Sequence, residues 1–543
     1  MNGDIASAVG RYVGYRERGH QVGSDHECFA ASESGRDNRR DMHTVGLKGS
    51  SLQRMSDLHD IDRRGVLGLG LSGLASMIGL VPSVRAEAIP LGIDDLLDRA
   101  AVAYGTVGHS VVVLRRAQLV YSRHSGLSDR ETGAPITDRS VYPLFSISKL
   151  FVIAELLKAR SAGGIDFAKP LGAIRPDLPA AWAGITLAQA LAHVSGLPDY
   201  IPDHVEPTQE EALAAISALP LRFTPGTRND YNQTNFLIAR MALEQATRTP
   251  LKILVERQFQ GVGMSRTGYH VEGQPSLADL VSSYRPAPGR VRPPVPYVSP
   301  SWPAYTFGSR GVFTTVPDLV RWSQALIAGR VVPLDALQAS WAPFSMPSGT
   351  AAWHTHGWEY YRHDGVTIVG HGGDVRLVWR HFFRTADPGD SATVIYLDNG
   401  GRTTFDRHRL ATLVADRVMP GAARQGEEQE ELLYQGLASD RWEQAVAAVA
   451  ATMPPGQLEV TVNRVGYDAM NILDAEAALP AFRWNVERFP RSSNAHDSLG
   501  EAYRAAGQLD RAKESYQRAL ALDPSSERLK AILYELGRST GDR

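Results

Sequence analysis

The 543-residue chain predicts an α/β domain, in which an antiparallel sheet is flanked by helices and joined by an all-helical subdomain, followed by a C-terminal α-helical repeat domain. Three observations carry this expectation. Four close-spaced β-like runs, WEYYRHDG, VTIVGHGG, RLVWRHFFR and ATVIYLDNG, lie between Trp358 and Gly400, each bounded by Gly, Asp or Pro, the pattern of an antiparallel meander. Helical periodicity dominates the segments before them, at 146–160, 185–200 and 232–248. Beyond residue 459, apolar and small residues recur at a spacing of 34.

Hydrophobic residues make up 43% and charged residues 21%, enough apolar surface for a large core. A formal net charge of −2 gives no electrostatic case for a nucleic acid or an anionic membrane as partner. Cys28 is the sole cysteine, which excludes an intrachain disulfide framework and a cysteine-based metal site.

Residues 1–54 are polar, rich in Arg, Gly and Ser, and without apolar period, so they read as a disordered leader or a misplaced start, with Met55 or Met42 as the true one. Residues 55–86 read as a signal peptide: adjacent Arg63 and Arg64, a charge-free stretch from Gly65 to Val84, and a small-residue cut site at Val84-Arg85-Ala86. The paired arginines make it similar to a twin-arginine signal, implying a periplasmic or secreted protein with no permanent membrane span after cleavage. A membrane anchor is the alternative, and five glycines in the stretch argue against it. GLGLSG (68–73) matches a dinucleotide fingerprint, but no strand precedes it.

Residues 87–421 form the main domain. GIDDLLDRAAVAYG (92–105) has helical spacing, and SVVVLRRAQLVYSR (110–123) reads as a hairpin. ITLAQALAHVSGLPDY (185–200) is a short helix ended by Gly196 and Pro198. The segment 286–304 holds seven prolines, so no regular structure is expected there; with Tyr297, Trp302 and Tyr305 it reads as the wall or lid of a site. Helices follow at 316–329 and 404–419. Residues 422–431, AARQGEEQEE, read as a polar, acidic linker.

In residues 432–543, Gly466 pairs with Gly500, Val465 with Leu499, Ala478 with Ala512, Phe482 with Tyr516 and Pro490 with Pro524 at the 34-residue spacing. Residues 493–526 resemble a tetratricopeptide repeat, and 459–492 form a weaker copy with Asn485 at a small-residue position. Helices around 432–452 and 527–537 are expected to complete the stack. Such a module offers a groove for a peptide or protein partner; a stabilising cap or a dimer contact is the alternative.

The chemistry centres on PLFSISKLFVIAELLKAR (143–160). Ile147, Leu150, Phe151, Ala154 and Leu157 form an apolar stripe, so this helix enters a core. Ser146 at its start meets the positive dipole end, and Lys149 shares its face. A serine becomes a nucleophile when a neighbour takes its proton, and burial makes a lysine neutral enough to do so. S-x-x-K is common, and on the motif alone an N-cap serine beside a surface lysine is the more frequent case.

Two further segments add to it: Tyr231 just before a helix in PGTRNDYNQTNF (225–236), and His371-Gly372-Gly373 on or beside a strand in IVGHGGDVRLVW (368–379). The ordered set of Ser-x-x-Lys, Tyr-x-Asn and Lys/His-x-Gly resembles the serine β-lactamase and penicillin-binding-protein superfamily, in particular its class C-like branch with its esterases and D-aminoacyl peptidases. LAHVSGLPDY and FGSRGVFTTVPDLVRW also look like that branch, and the resemblance spans about residues 92–420.

The resemblance implies a β-lactamase/transpeptidase-like fold and a metal-free, cofactor-free serine hydrolase. Ser146 would form an acyl-enzyme, Lys149 and Tyr231 would share base and acid work, and the backbone N–H groups of Ser146 and Asp374 would form an oxyanion hole. Gly372 and Gly373 would let substrate lie against the strand. Two departures bear on substrate binding. Gln233 stands where the family has Asn, and His371 replaces the commoner lysine, which favours an esterase or peptidase whose substrate need not carry a carboxylate at that point.

His354, His356 and His363 raise a metal reading, but no supporting carboxylate is spaced with them. His193 reads as a buried structural hydrogen bonder. The expected function is an exported hydrolase of an ester, a D-amino acid amide or peptide, or a β-lactam. The competing one is a degenerate domain that binds peptidoglycan or peptide while the repeats recruit a partner.

Overall fold

The computed structural model describes residues 92–199, 208–270, 277–287, 293–297, 302–374 and 376–539. The leader and signal readings over residues 1–86 lie outside the described residues. Among the described residues no helix is long and apolar enough to cross a membrane.

An eight-stranded sheet organises the main domain. Its strands are β1 (Gly108–Arg115), β2 (Gln118–Asp129), β3 (Ala134–Pro135), β4 (His354–Thr355), β5 (Trp358–His363), β6 (Val366–Gly373), β7 (Leu377–Arg384) and β8 (Asp387–Asp398). They lie in the order β3-β2-β1-β8-β7-β6-β5-β4. The hairpin β1–β2 and the meander β5–β8 are the two antiparallel units expected from the sequence, and they join where β1 pairs with β8, His109 opposite Asp398.

Alternation along each strand divides the apolar residues between two cores. Val112, Leu114, Val369, Trp379 and Ile395 face one core, which encloses helix α1 (Lys149–Ser161). Every residue of α1 from Lys149 to Leu157 is buried, so it is a core helix on all sides. Val111, Val113, Ile368, Val378 and Val394 face the other core, which they share with Leu433, Val446, Val462 and Phe482 of the C-terminal helices.

The proline-rich segment departs from expectation at one place. Val295–Tyr297 pairs antiparallel with Ser283–Arg285 in a two-stranded ribbon. Pro296 is tolerated because an isolated ribbon has a free edge, where a missing N–H removes no ladder bond.

The linker reading over residues 422–431 is also revised. Helix α2 (Glu427–Ala438) starts inside it, and Glu427, Glu430 and Glu431 are buried. Basic partners explain this. Arg424 reaches Glu430 at 3.2 Å, Arg464 pairs with the same carboxylate, and Arg409, 4% exposed, lies 3.6 Å from Glu431 and 3.0 Å from Asp468. The two domains therefore share a buried charged junction as well as an apolar core.

The repeats stack as helix pairs: α3 (Pro455–Ile472) with α4 (Ala475–Arg488), and α5 (Ser493–Ala505) with α6 (Leu509–Leu522). A Cβ on Gly466 would sit 2.7 Å from the Phe482 ring, and one on Gly500 would sit 2.8 Å from the Tyr516 ring. The same close approach recurs 34 residues apart, as the pairing requires. Asn485 is fully buried at this small-residue position; its side-chain N–H donates to the Glu459 carbonyl at 3.2 Å, while its Oδ1 has no hydrogen-bond partner among the described residues.

Candidate active site

Ser146 lies in a 3-10 turn, Phe145–Ser148, one turn before α1 begins at Lys149. Phe145 has φ +45°, an uncommon backbone for a phenylalanine, and this bend precedes the serine. Ser148 is buried and its hydroxyl accepts the Val312 N–H at 3.2 Å, so the second serine of the motif anchors the turn.

Lys149 is fully buried among oxygens. Its Nζ lies 3.1 Å from Ser146 Oγ, 2.7 Å from the Tyr231 hydroxyl, 2.8 Å from Gln233 Oε1 and 3.1 Å from the Ser309 carbonyl. Tyr231 donates to Ser146 Oγ at 2.8 Å. Gln233 and Ser309 offer acceptors only. A neutral amine fits this set: its two N–H groups satisfy the amide and carbonyl oxygens, and its lone pair is left for the hydroxyls. Burial, reinforced by the nearby Arg310 charge, holds Lys149 well below the usual lysine range. Burial raises Tyr231, which keeps its proton at neutral pH. The hydroxyl, amine and phenol that the sequence singled out thus converge, with a base-form lysine and an acid-form tyrosine.

His193, a core hydrogen bonder as expected, props the tyrosine segment. It is fully buried with φ +55°, and its Nδ1 accepts from the Asn232 backbone at 3.2 Å and from Asn235 Nδ2 at 2.9 Å. Its ring lies 4.6 Å from that of Tyr231.

The β6 residues are less open than expected. His371 is 2% exposed, its ring 5.8 Å from that of Tyr231, and burial lowers its pKa to about 3, so it is neutral. Its Nδ1–H donates to the Gly372 carbonyl at 2.6 Å. A Cβ on Gly373 would lie 2.5 Å from the Leu144 carbonyl, and one on Gly372 would lie 3.2 Å from the His408 ring. The glycines thus make room for the Ser146 turn and for His408, a packing reason that stands beside the expected room for substrate. The same approach brings the end of β6, and with it Asp374, against the turn that carries Ser146. Asp374 has φ +52° and pairs with Arg376, whose guanidinium lies 5.1 Å from the Phe145 ring.

Sequence reasoning missed Glu359 and its partners. Glu359 on β5 accepts the Gly372 N–H at 3.0 Å and pairs with the buried Arg380, which in turn reaches His408 Nδ1. Spacing gave no signal for this group, because it spans three neighbouring strands and a following helix. Among the described residues His354, Glu359 and His371 hold ligand-type atoms within 4.8 Å of one another. Arg380 and the Gly372 N–H already occupy the Glu359 oxygens, so the set is poorly suited to a cation. His356 turns to the Ser340 carbonyl at 3.1 Å, and its ring lies 5.9 Å from that of Phe167. The three histidines of the sequence reading do not form one group.

Comparison with known proteins bears on the family and the fold. The family model described as beta-lactamase matches residues 93–419, and the tetratricopeptide repeat model matches residues 493–526. The chain is 28% identical to a D-aminopeptidase of Cereibacter sphaeroides over 61% of its own length, and spans 65% of that relative's length. It is 25% identical to esterase EstB of Burkholderia gladioli, over 45% of this chain and 72% of that one. Its fold is similar to that of the D-amino acid amidase of Ochrobactrum anthropi SV3, with a TM-score of 0.50 at 22% identity, over 60% of this chain and 97% of that one.

Proposed function

The chain belongs to the beta-lactamase family, and from that premise we propose that it is a serine hydrolase working through an acyl-serine intermediate. One observation carries the reading: Ser146 Oγ, Lys149 Nζ and the Tyr231 hydroxyl lie within 3.1 Å of one another. Neutral Lys149 takes the Ser146 proton as Oγ attacks a carbonyl carbon. Tyr231, still protonated, gives its proton to the leaving oxygen or nitrogen and is recharged from Lys149. Water then attacks the acyl-enzyme along the same route in reverse. The N–H groups of Ser146 and Asp374 stabilise the oxyanion, an effect worth about 10²–10³ in rate per donor.

Substrates of this site are esters or amides of D-amino acids, as the names of the D-aminopeptidase and esterase relatives suggest. Gln233 Oε1 is held by Lys149, so its amide N–H₂ is the group left for a substrate carbonyl. The intact contacts among the three reacting groups disfavour the degenerate binding-protein reading. Export through residues 55–86 and partner binding by the repeats complete the proposal.

Ser146→Ala tests it directly. Turnover of p-nitrophenyl butyrate and D-alanine p-nitroanilide, and labelling by a fluorescent fluorophosphonate, are expected to vanish in the variant. Labelling that survives would reject Ser146 as the nucleophile.

A further inference from the structure

Arg310 stands beside the reacting groups, and among the described residues no acid pairs with it. It follows Ser309, whose carbonyl lies 3.1 Å from Lys149 Nζ, and its charge acts on both Lys149 and Tyr231. Other arginines of this region have carboxylates: Arg380 has Glu359, Arg376 has Asp374, and Arg407 has Asp398 at 2.8 Å. Among the described residues Arg310 forms no ion pair, and its Nε is buried with no hydrogen-bond partner. The acids that act on Lys149 are committed elsewhere: Asp199 accepts the Gln233 N–H at 3.0 Å, and Glu359 is paired with Arg380.

The Trp302 ring lies 3.8 Å from the Arg310 guanidinium carbon. Stacking fixes the plane of a guanidinium while leaving its N–H edge available, and that edge matches a carboxylate in a two-pronged contact. His371, neutral and buried, cannot supply a cation to the substrate. A cation left partly buried and unpaired is costly to the fold, so an anion that completes it gains strongly on binding.

We propose that Arg310, held flat by Trp302, anchors a carboxylate of the substrate beside Ser146. This deepens the hydrolase reading and rests on it: the substrate is an anionic ester or peptide, with its carboxylate on either the leaving or the acyl portion. It leaves open the expectation drawn from His371, that the substrate need not carry a carboxylate at that position, because the proposed anchor lies at Arg310.

The test uses two matched pairs with the full chain. N-acetyl-D-alanyl-D-alanine against its C-terminal amide places the carboxylate on the leaving side. The p-nitrophenyl monoester of glutaric acid against p-nitrophenyl butyrate places it on the acyl side. In Arg310→Gln the charged-to-neutral ratio of kcat/KM is expected to fall about tenfold or more in one pair, the loss of a charge-assisted contact, with partial recovery in Arg310→Lys. The pair that responds names the side. Because both members of a pair use the same base, an effect of Arg310 on Lys149 cancels in the ratio. An unchanged ratio in both pairs overturns the anchor.

Binding separates this from failure of the hydrolase reading. In Ser146→Ala, calorimetry with N-acetyl-D-alanyl-D-alanine and with glutarate is expected to show binding that is weakened about tenfold or more by adding Arg310→Gln. That weakening supports the anchor even where wild-type protein turns over none of the four substrates. Equal affinity with and without Arg310, or no binding of either anion, overturns the anchor and leaves Ser146 turnover to be judged separately.

Discussion

Gln233 presents its side-chain oxygen to Lys149 Nζ at 2.8 Å, closer than Ser146 Oγ at 3.1 Å. A neutral acceptor there holds the amine without favouring its charged form. Gln233→Glu keeps the shape and adds a negative charge, which favours protonated Lys149. The acid limb of the activity profile is expected to move toward higher pH by about one unit, with activity at neutral pH falling accordingly. Activity recovers in alkaline solution, so the measurement is a pH profile of kcat/KM for a p-nitrophenyl ester. A uniform loss at all pH values would assign Gln233 to substrate binding alone.

The wild-type profile has a defined sign. Lys149 acts when neutral, and its lowered pKa means that activity rises with pH through that value and is complete well below the ordinary lysine range near 10.5. Tyr231 must keep its proton, and its raised pKa extends the plateau upward. A broad plateau across neutral pH is expected. Lys149→Arg places a permanent cation where the lysine is neutral and cannot accept the serine proton, so it should remove at least about 10³ of the rate, with circular dichroism checking that the variant is folded.

In the repeats, Gly466→Ala and Gly500→Ala should act alike. Each new Cβ would press on a ring, Phe482 or Tyr516, that is itself buried. Overpacking of this kind costs about 1–3 kcal/mol. Thermal or urea unfolding of the two variants checks it. A large loss at one site with none at the other would mean that the two helix pairs are not equivalent in packing.

Arg409 joins the domains. It is buried, and its guanidinium is shared by Glu431, Asp468 and Asp406. Burial pushes the neighbouring Glu427 carboxyl up to about 7, a sign of how dry the junction is. Arg409→Leu removes the cation and leaves its acids behind, so a loss of about 3–5 kcal/mol is expected. Hydrolase and repeat helices should unfold in one transition in the wild-type chain. Two separate transitions in calorimetry would show that the shared core does not couple them.

The difference in what the sequence revealed follows from this junction and the site. Ser146 and Lys149 were legible because one helical turn separates them, and the repeat because Gly466 and Gly500 sit at a fixed period. The burial of Glu427, Glu430 and Glu431 was not legible. An acid-rich run reads as solvated until Arg409 and Arg464, far apart in the chain, are known to meet it. Glu359 escaped for the same reason, since its partners Gly372, Arg380 and His408 become neighbours only once strands pair. His371 was found and read as neutral, but its burial was not legible, because a motif position says nothing about whether the side chain is wet.

That last point gives a test of the motif itself. If His371 were an open substitute for lysine, His371→Lys would restore a substrate-binding cation and improve turnover of carboxylate-bearing β-lactams such as nitrocefin. The geometry predicts the opposite. The ring is 2% exposed, and the Glu359 carboxylate 3.4 Å away is already paired with Arg380. A second amine there is either desolvated and neutral or charged at the expense of the fold. If charged, it repels protonated Lys149 and competes with Arg380 for Glu359, which holds the Gly372 N–H at 3.0 Å. His371→Lys is therefore expected to lower kcat/KM for esters by about tenfold or more, to reduce Tm, and to leave nitrocefin turnover no higher than in wild type. His371→Asn, neutral and smaller, should retain more activity than the lysine variant. The reverse ranking would show that the pocket around His371 opens to solvent.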